Sequence, residues 1–263
     1  MNTKNGVKLY DEDFYKSHID SSYLSATFYA RHLFEVFQPK SIADLGCGRG
    51  SWLKAFGEQG AKKLTGFDGP WNSQAKMIDQ SIDFFPMDLN KPLALQADKF
   101  DLAISLEVAE HLKEESSNIF VGNIVALSDV VIFGSAYTNQ GGTDHINEQP
   151  HNYWANIFIE FGYMPYDFFR PYFWGNKDIG FWYQQNTFLY VKNTSKLQQV
   201  LQSEGFSPIS NLEFMNCIHP CLYDARVLAA THPIRTIARR LLLGAIPKSW
   251  LPFIQNIKKE LFK

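Results

Sequence analysis

The fold is decided by one short stretch of the sequence, ADLGCGRGS at residues 43–51. An apolar segment that we expect to form a strand, residues 41–46, runs here into a turn with glycines at alternate positions, and a predicted helix starts at Ser51. Glycines let a backbone turn sharply and approach a ligand without a Cβ clash. The helix that follows directs free N–H groups at the polar part of such a ligand. The stretch predicts a ligand-binding turn, with a plain strand-to-helix corner as the alternative.

Outward from this turn, short apolar segments alternate with segments of helical spacing. Predicted strands cover 41–46, 62–68, 81–88, 99–107 and 129–135, and predicted helices cover 21–37, 51–57 and 116–127. This alternation predicts βαβ units and a parallel sheet that is buried on both faces. Such sheets bind ligands at the carboxyl ends of their strands. Further along, we predict a helix at 154–161, strands at 164–169 and 180–191, and a helix at 195–204.

The composition is that of an ordinary globular protein. Hydrophobic residues make up 45% of the 263 positions and charged residues 20%, which excludes disordered and fibrous classes. The three cysteines, Cys47, Cys217 and Cys221, predict free thiols in a reducing compartment. We expect no signal peptide, because the first residues lack an apolar core, and no apolar run is long enough to span a bilayer.

The charge is unevenly distributed along the chain. Eight of the 25 Lys and Arg residues lie from Arg226 onward, against one of the 27 acidic residues, Glu260. The rest of the chain is therefore acidic, which argues against a nucleic-acid partner.

The spacing of polar residues around the glycine turn distinguishes between cofactors. A dinucleotide site requires G-x-G-x-x-G, whereas here the third glycine, Gly50, comes one position early. Asp68 ends the second predicted strand, 20 residues after Gly48. A carboxylate there can accept hydrogen bonds from the two hydroxyls of a ribose.

Four motifs together resemble the successive motifs of class I S-adenosylmethionine-dependent methyltransferases: ADLGCGRGSWL, GFDGPW, FPMDL and FDLAISLEVAEHL. The resemblance covers residues 38–135. It implies a Rossmann-like α/β sheet, mainly parallel with an antiparallel last strand, flanked by helices and followed by a helical extension. On this basis we predict an N-terminal helical segment at 1–40, a methyltransferase domain at 41–192 and a C-terminal extension at 193–263.

The resemblance also implies the cofactor and its contacts. The cofactor is S-adenosyl-L-methionine, with S-adenosyl-L-homocysteine as product. Asp44 and the loop hold its methionine moiety, Asp68 its ribose hydroxyls, and Asp88 or Leu89 lies by its adenine. The full set of implied cofactor-binding residues is Asp44, Gly46, Cys47, Gly48, Gly50, Trp52, Asp68, Gly69, Asp88, Leu89, Leu106 and Glu107. The usual helix after the second strand should be short or missing, because only a short stretch separates the second and third strands.

Histidines at the same predicted sheet edge are candidates for proton transfer. A hydroxyl that accepts a methyl group must lose its proton, and His is the commonest base near neutral pH. His145, in the polar segment GGTDHINEQPH (141–151), is our first choice, with a loop histidine bonded to backbone as the alternative. The other predicted catalytic residues are Glu148, His111 and Glu107. For His111 the alternative is a structural or cofactor-shaping role, because the EHL segment occurs in related enzymes with unrelated substrates.

We predict no metal site, although two clusters offer suitable ligand types. His145, Glu148 and His151 combine imidazole and carboxylate, but their spacing is not helical and Pro150 interrupts it. Cys217, His219 and Cys221 offer three ligands without a partner pair elsewhere.

The acceptor is predicted from an aromatic segment. Residues 153–190 hold 16 of the 40 aromatic side chains, and aromatic faces suit sugar rings. Core packing is the alternative for each ring. The stretch HINEQPHNYWANIFIEFGY (145–163), followed by FWYQQNTFLYV (181–191), also resembles methyltransferases of bacterial surface-polysaccharide synthesis. This resemblance implies that the acceptor is a hydroxyl of a sugar, nucleotide-sugar or lipid-linked glycan. The predicted substrate-binding residues are His151, Tyr153, Trp154, Trp174, Trp182 and Tyr183.

The basic tail, residues 231–263, alternates apolar and basic groups with Trp250 and Phe253 among them. Such a stretch can lie in a membrane interface. We therefore predict a cytoplasmic enzyme that is peripheral on the inner face of the membrane; the alternative is packing against its own domain or a dimer partner. Two other functions stay open: a methyltransferase-fold binding module that partners a glycosyltransferase, and a nicotinamide-dependent sugar-modifying enzyme.

Overall fold

The computed structural model describes residues 12–93 and 99–231, without the side chains of residues 12–20 and 231. The chain divides into two compact units, the first ending at Cys217 and the second beginning at Ile218. The strongly basic part of the predicted membrane-binding tail, from residue 232, lies outside the described residues.

A seven-stranded sheet forms the centre of the first unit, in the order β3-β2-β1-β4-β5-β7-β6. The strands pair in parallel from β3 to β5, whereas β7 runs antiparallel to both β5 and β6. This confirms the predicted sheet and its antiparallel last strand. The strands are β1 Ser41–Leu45, β2 Lys63–Asp68, β3 Asp83–Pro86, β4 Leu102–Leu106, β5 Val130–Gly134, β6 Tyr163–Tyr166 and β7 Phe188–Lys192.

The strands at the centre of the sheet are apolar, whereas the strand at its β3 edge is not fully buried. Every residue of β4 and of β5 is buried, as expected for apolar runs covered on both faces. In contrast, β3 at the sheet edge is mostly exposed. The order places the carboxyl ends of β1, β4 and β5 side by side, which brings the segments that follow them to one edge.

Helices cover both faces of this sheet. On one face α1 packs on α2, and Tyr29 and Leu33 of α1 belong to the same buried cluster as Trp52 and Phe56 of α2. On the other face, α3 and α4 bury Phe120 and Trp154, among others, in a second cluster. The helices of the first unit are α1 Glu12–Val36, α2 Ser51–Gln59, α3 Ser117–Leu127, α4 His151–Glu160, α5 Arg170–Phe173, α6 Phe181–Asn186 and α7 Leu197–Ser203.

The sequence predicts the connection between β2 and β3 correctly. It does not predict the segment before β7. A single 3-10 turn, Gln74–Lys76, replaces the usual helix after β2, as the short spacing predicts. The prediction of one strand over 180–191 is wrong in its first half, since residues 181–186 form α6. The backbone N–H of Thr187 donates to the carbonyl oxygen of Tyr183 at 3.2 Å, and Gln184, Gln185 and Asn186 are buried, so the aromatic residues Phe181, Trp182 and Tyr183 belong to a helix and not to a strand.

The second unit contains one described helix, α8 Pro220–Thr231. In the described part of the chain, no helix has both the length and the apolar content needed to cross a membrane.

Candidate functional site

The glycine turn follows β1 directly and is built for close packing. Gly46 has a φ of +84°, in the left-handed region, and a Cβ there would lie 2.3 Å from Cγ2 of Val108. Gly48 also has a positive φ, of +54°, but a Cβ on it would meet no atom within 4 Å. The first glycine is therefore required by the protein's own packing, whereas the middle glycine borders open space that a ligand can fill.

Asp68, the last residue of β2, lies against this turn. Its Oδ2 accepts a hydrogen bond from the backbone N–H of Gly48 at 2.9 Å, and its Oδ1 accepts one from Gly69 at 2.6 Å. Burial raises the pKa of this carboxyl, and the two backbone hydrogen bonds partly oppose the rise. Asn72, which is not among the predicted site residues, also binds this turn through a hydrogen bond from its Nδ2 to the carbonyl oxygen of Gly48.

A second carboxyl, that of Asp44 in β1, is also buried at this turn. Burial raises its pKa well above the usual value, and the charge of Asp68 adds to the rise. Two acidic groups beside an open glycine turn suit a ligand that presents hydroxyl donors and a cationic ammonium group.

The predicted adenine region is more open. Trp71 is 69% exposed, and its ring covers Gly69, where a Cβ would lie 2.0 Å from the indole. Asp88 accepts a hydrogen bond from the backbone of Asn90 at 3.1 Å and pairs with Nζ of Lys91 at 3.2 Å, contacts that lower its pKa. Leu89 is buried. Among the predicted loop residues, Cys47 is buried against Gly66, and burial raises the pKa of its thiol.

Glu107 follows β4 and is held by side chains from two distant segments. Its Oε1 accepts a hydrogen bond from Nδ2 of Asn186 at 2.9 Å, and its Oε2 accepts one from Nε2 of Gln140 at 3.2 Å. Burial raises the pKa of this carboxyl to about 7. Neither amide was predicted to belong to the site, because no local pattern links residues 140 and 186 to residue 107.

The predicted bases come together after β4 and β5. Nδ1 of His145 lies 2.7 Å from Oε1 of Glu148, which also accepts the backbone N–H of Gly141 at 2.6 Å. The ring of His111 meets that of His145 edge to face, with centroids 4.8 Å apart. The neighbouring Glu110, which was not predicted, is fully buried.

Three residues that can bind a metal lie close together, and they are not one of the two clusters considered in the sequence. Glu110, His111 and His145 have ligand atoms that all lie within 4.8 Å of one another. His151 is instead 2% exposed, with Nδ1 2.8 Å from the carbonyl oxygen of Met215 and Nε2 3.1 Å from Oδ1 of Asn186. Cys217 and Cys221 carry free, exposed thiols.

The predicted substrate-binding residues divide by burial. His151, Trp154 and Tyr183 are buried, so an acceptor could touch them only if the core opened. Trp154 packs on Phe133, and Tyr183 exchanges a hydrogen bond with Ser22 of α1 at 3.0 Å. Trp174, by contrast, is 39% exposed, and Tyr153 and Trp182 are partly buried. Aromatic residues in this segment thus serve mainly as core.

Comparison with known proteins gives the class. A family described as a methyltransferase domain matches residues 15–211, so the match covers more than half of the chain. The chain belongs to this family, that of class I S-adenosylmethionine-dependent methyltransferases. S-adenosylmethionine is the cofactor of such proteins, and it supplies a methyl group on a sulfonium centre when bound. The open glycine turn and the carboxyls of Asp44 and Asp68 fit its ammonium and ribose groups. A comparison with curated protein sequences found no match.

Among solved structures, the chain is similar to an O-methyltransferase family protein from Burkholderia thailandensis, with 12% identity, a TM-score of 0.49, and coverage of 71% of this chain and 61% of that one. It is also similar to magnesium protoporphyrin IX methyltransferase from Synechocystis with bound S-adenosylhomocysteine, at 16% identity, a TM-score of 0.48 and coverage of 72% and 90%. Human N-acetylserotonin methyltransferase in complex with S-adenosylmethionine is similar at 19% identity and a TM-score of 0.44, with coverage of 72% of this chain and 61% of that one. The chain thus spans less than two thirds of the first and third of these proteins.

Proposed function

We propose that this methyltransferase acts on a hydroxyl group of a sugar or glycan in surface-polysaccharide synthesis, with His145 as general base. The contact between His145 and Glu148, 2.7 Å from Nδ1 to Oε1, carries this proposal. It lies after β5, at the edge of the sheet where the glycine turn also lies.

The contact sets the proton arrangement of the imidazole. A carboxylate beside Nδ1 favours the tautomer that bears its hydrogen there, which leaves the lone pair of Nε2 free. Glu148 is itself held by the backbone N–H of Gly141, so the pair is oriented before any acceptor arrives. When the cofactor is bound, Nε2 of His145 would take the proton of an acceptor hydroxyl, and the methyl carbon would exchange its bond to the cofactor's sulfonium sulfur for a bond to the hydroxyl oxygen.

The acceptor class rests on accessible aromatic side chains. Trp174 is 39% exposed, and Tyr153 and Trp182 keep part of their surface accessible. Flat apolar faces with polar edges bind the alternating apolar and hydroxyl faces of a sugar ring. A nucleotide-sugar and a lipid-linked glycan both present such rings.

The cellular setting follows from the basic tail. We place the enzyme in the cytoplasm, peripheral on the inner face of the membrane, because residues 231–263 combine basic and apolar side chains. Deleting this segment should abolish sedimentation with anionic liposomes, and unchanged sedimentation would contradict membrane contact.

The function is tested by offering nucleotide-sugars and lipid-linked oligosaccharides together with radiolabelled cofactor. We expect label on a sugar hydroxyl, and a rate about 100- to 10,000-fold lower for His145→Ala. His32→Gln is the matched control, because His32 also pairs with a glutamate three residues on, Glu35 at 3.3 Å, but in α1. Label found only on protein or small phenols would refute a glycan acceptor.

The binding-module alternative predicts a different result. Such a module would bind S-adenosylhomocysteine, yet neither the wild type nor His145→Ala would transfer label to any acceptor. The nicotinamide alternative is set aside, because the chain belongs to a methyltransferase family.

A further inference from the structure

We propose that Glu110, His111 and His145 bind a divalent transition-metal ion beside the methyl-transfer site. Their ligand atoms lie within 4.8 Å of one another. Two imidazoles and one carboxylate form a ligand set that zinc and related ions accept, and three protein ligands leave a position open for an oxygen of the acceptor. The sequence analysis predicts no metal site, and the trio of His145, Glu148 and His151 that it rejected shares only His145 with this set.

The burial of Glu110 is the observation that calls for a cation. The side chain is 0% exposed; its Oε2 accepts a hydrogen bond from Oγ of Ser135 at 3.1 Å, while its Oε1 has no hydrogen-bond partner among the described residues. A buried carboxylate with an unsatisfied oxygen is costly. No described Lys or Arg forms an ion pair with Glu110 or with the nearby Glu107. A bound cation supplies the missing positive charge.

The backbone holds the three ligands in one assembly. Glu110 and His111 are adjacent in a 3-10 turn that follows β4. The loop that carries His145 is bonded to this turn, because the backbone N–H groups of Ile146 and Asn147 both donate to the carbonyl oxygen of Glu110, at 2.8 and 3.0 Å. The site is therefore formed by two segments that are bonded to each other directly.

Glu148 completes the pattern expected around a metal-binding histidine. Such histidines commonly donate their other ring N–H to a carboxylate, which orients the ring and makes it a better ligand. The pairing of Nδ1 of His145 with Glu148 leaves Nε2 for the ion. In a four-coordinate site the ligand atoms lie about 3.4 Å apart. Rotation of the two histidine side chains must therefore shorten the distances between the ligand atoms, which are at most 4.8 Å here, by roughly 1.5 Å at most.

Binding of the ion does not depend on the proposed function. Only the chemical role that we give to the ion rests on the proposed function. Nε2 of His145 cannot both bind an ion and take a proton. In the metal-loaded protein, Glu110, His111 and His145 would hold an ion that lowers the pKa of a bound acceptor hydroxyl, and the proton would pass to solvent water instead of to His145.

The test is a titration of Co²⁺ into the chelator-treated full chain, followed by visible absorption and calorimetry without any acceptor. We expect one equivalent to bind, with affinity reduced by about 100-fold or more in Glu110→Gln and in His111→Ala. Glu35→Gln is the matched control, because it makes the same substitution on an exposed glutamate beside a histidine, and it should bind Co²⁺ like the wild type.

Binding of S-adenosylhomocysteine by each variant verifies that it is folded. The metal site is refuted if the wild type shows no saturable Co²⁺ binding, or if both site variants bind Co²⁺ as tightly as the wild type. Tight Co²⁺ binding with the expected loss in the variants, but no methyl transfer to glycans, would support the metal site and remove only the proposed acceptor.

Discussion

Asn186 donates a hydrogen bond to Oε1 of Glu107 at 2.9 Å, across 79 positions of sequence. Glu107 follows β4, and Asn186 is the last residue of α6, just before β7. The two meet because β5 lies between β4 and β7 in the sheet. The same amide also donates to Oε1 of Gln140 at 3.0 Å, so one buried asparagine orients both the acidic side chain and its second partner.

Removing this amide should destabilise the protein. We expect Asn186→Ala to lower the free energy of unfolding by about 1–3 kcal/mol, because it removes the hydrogen bonds that Oε1 of Glu107 and Oε1 of Gln140 accept from this amide. Urea unfolding measures the change. Asn193→Ala, at an exposed position, is the control and should have little effect. Equal effects of the two substitutions would contradict the role given to Asn186.

Asp68 should account for a large part of cofactor affinity. In Asp68→Ala we expect S-adenosylhomocysteine to bind about 10- to 100-fold more weakly, since hydrogen bonds to a charged group contribute about 1.5–3 kcal/mol. Isothermal titration calorimetry gives the affinity. Asp83→Ala removes a carboxyl from the exposed start of β3 and should leave it unchanged. Wild-type affinity in Asp68→Ala would refute the ribose contact.

Gly46 should be more sensitive to substitution than a glycine with the same backbone conformation elsewhere. Gly205 has a φ of +86°, close to that of Gly46, but a Cβ there meets no atom within 4 Å. Gly205→Ala should therefore cost only the left-handed backbone penalty, roughly 1–2 kcal/mol. Gly46→Ala should cost about 1–3 kcal/mol more, because its Cβ collides with Val108. Urea unfolding of the two variants tests this, and equal costs would show that Val108 moves freely.

Acid should destabilise the protein through His151. Burial lowers the pKa of this imidazole to about 4, although its contacts with Met215 and Asn186 favour the charged form. The unfolded chain, in which histidine has a pKa of about 6.5, therefore binds more protons than the folded protein between those values. The stabilisation present above pH 6.5 is lost as the pH falls toward 4.

Replacing the histidine should flatten this pH dependence. His151→Gln should lose less unfolding free energy than the wild type between pH 6.5 and pH 4, as measured by urea unfolding at several pH values. His32→Gln, which removes a histidine from α1, is the comparison variant. An unchanged slope in His151→Gln would mean that the imidazole is protonated in the folded state.

The sequence predicts the scaffold well because its signals are local. The apolar runs at 102–106 and 130–134 and the glycine turn after residue 45 depend on neighbouring residues, and the structure confirms each as a strand or turn. The position of Asp68 at the end of the second strand is also confirmed. Its contact with the N–H of Gly48 was not predicted and arises because the parallel strands β1 and β2 end side by side.

The aromatic segment shows where local reasoning stops. Phe181–Asn186 contains aromatic residues that suit a strand, but its three polar residues at the end are buried and bonded to Gly175, Gln140 and Glu107. Hydrogen bonds to residues outside the helix thus stabilise the helical conformation of this segment, and no local sequence pattern predicts these bonds.

The sequence by itself determined the alternation of strands and helices from β1 to β5, the glycine turn and the family of the cofactor, because each depends on residues close together in the chain. Only the tertiary structure decided which polar side chains meet. Glu110, His111 and His145 come together, and Asn186 reaches Glu107, because the sheet order brings the ends of β4 and β5 and the start of the antiparallel β7 to one place. Whether a histidine is buried or faces the site depends on that packing, and spacing along the chain carries no information about it.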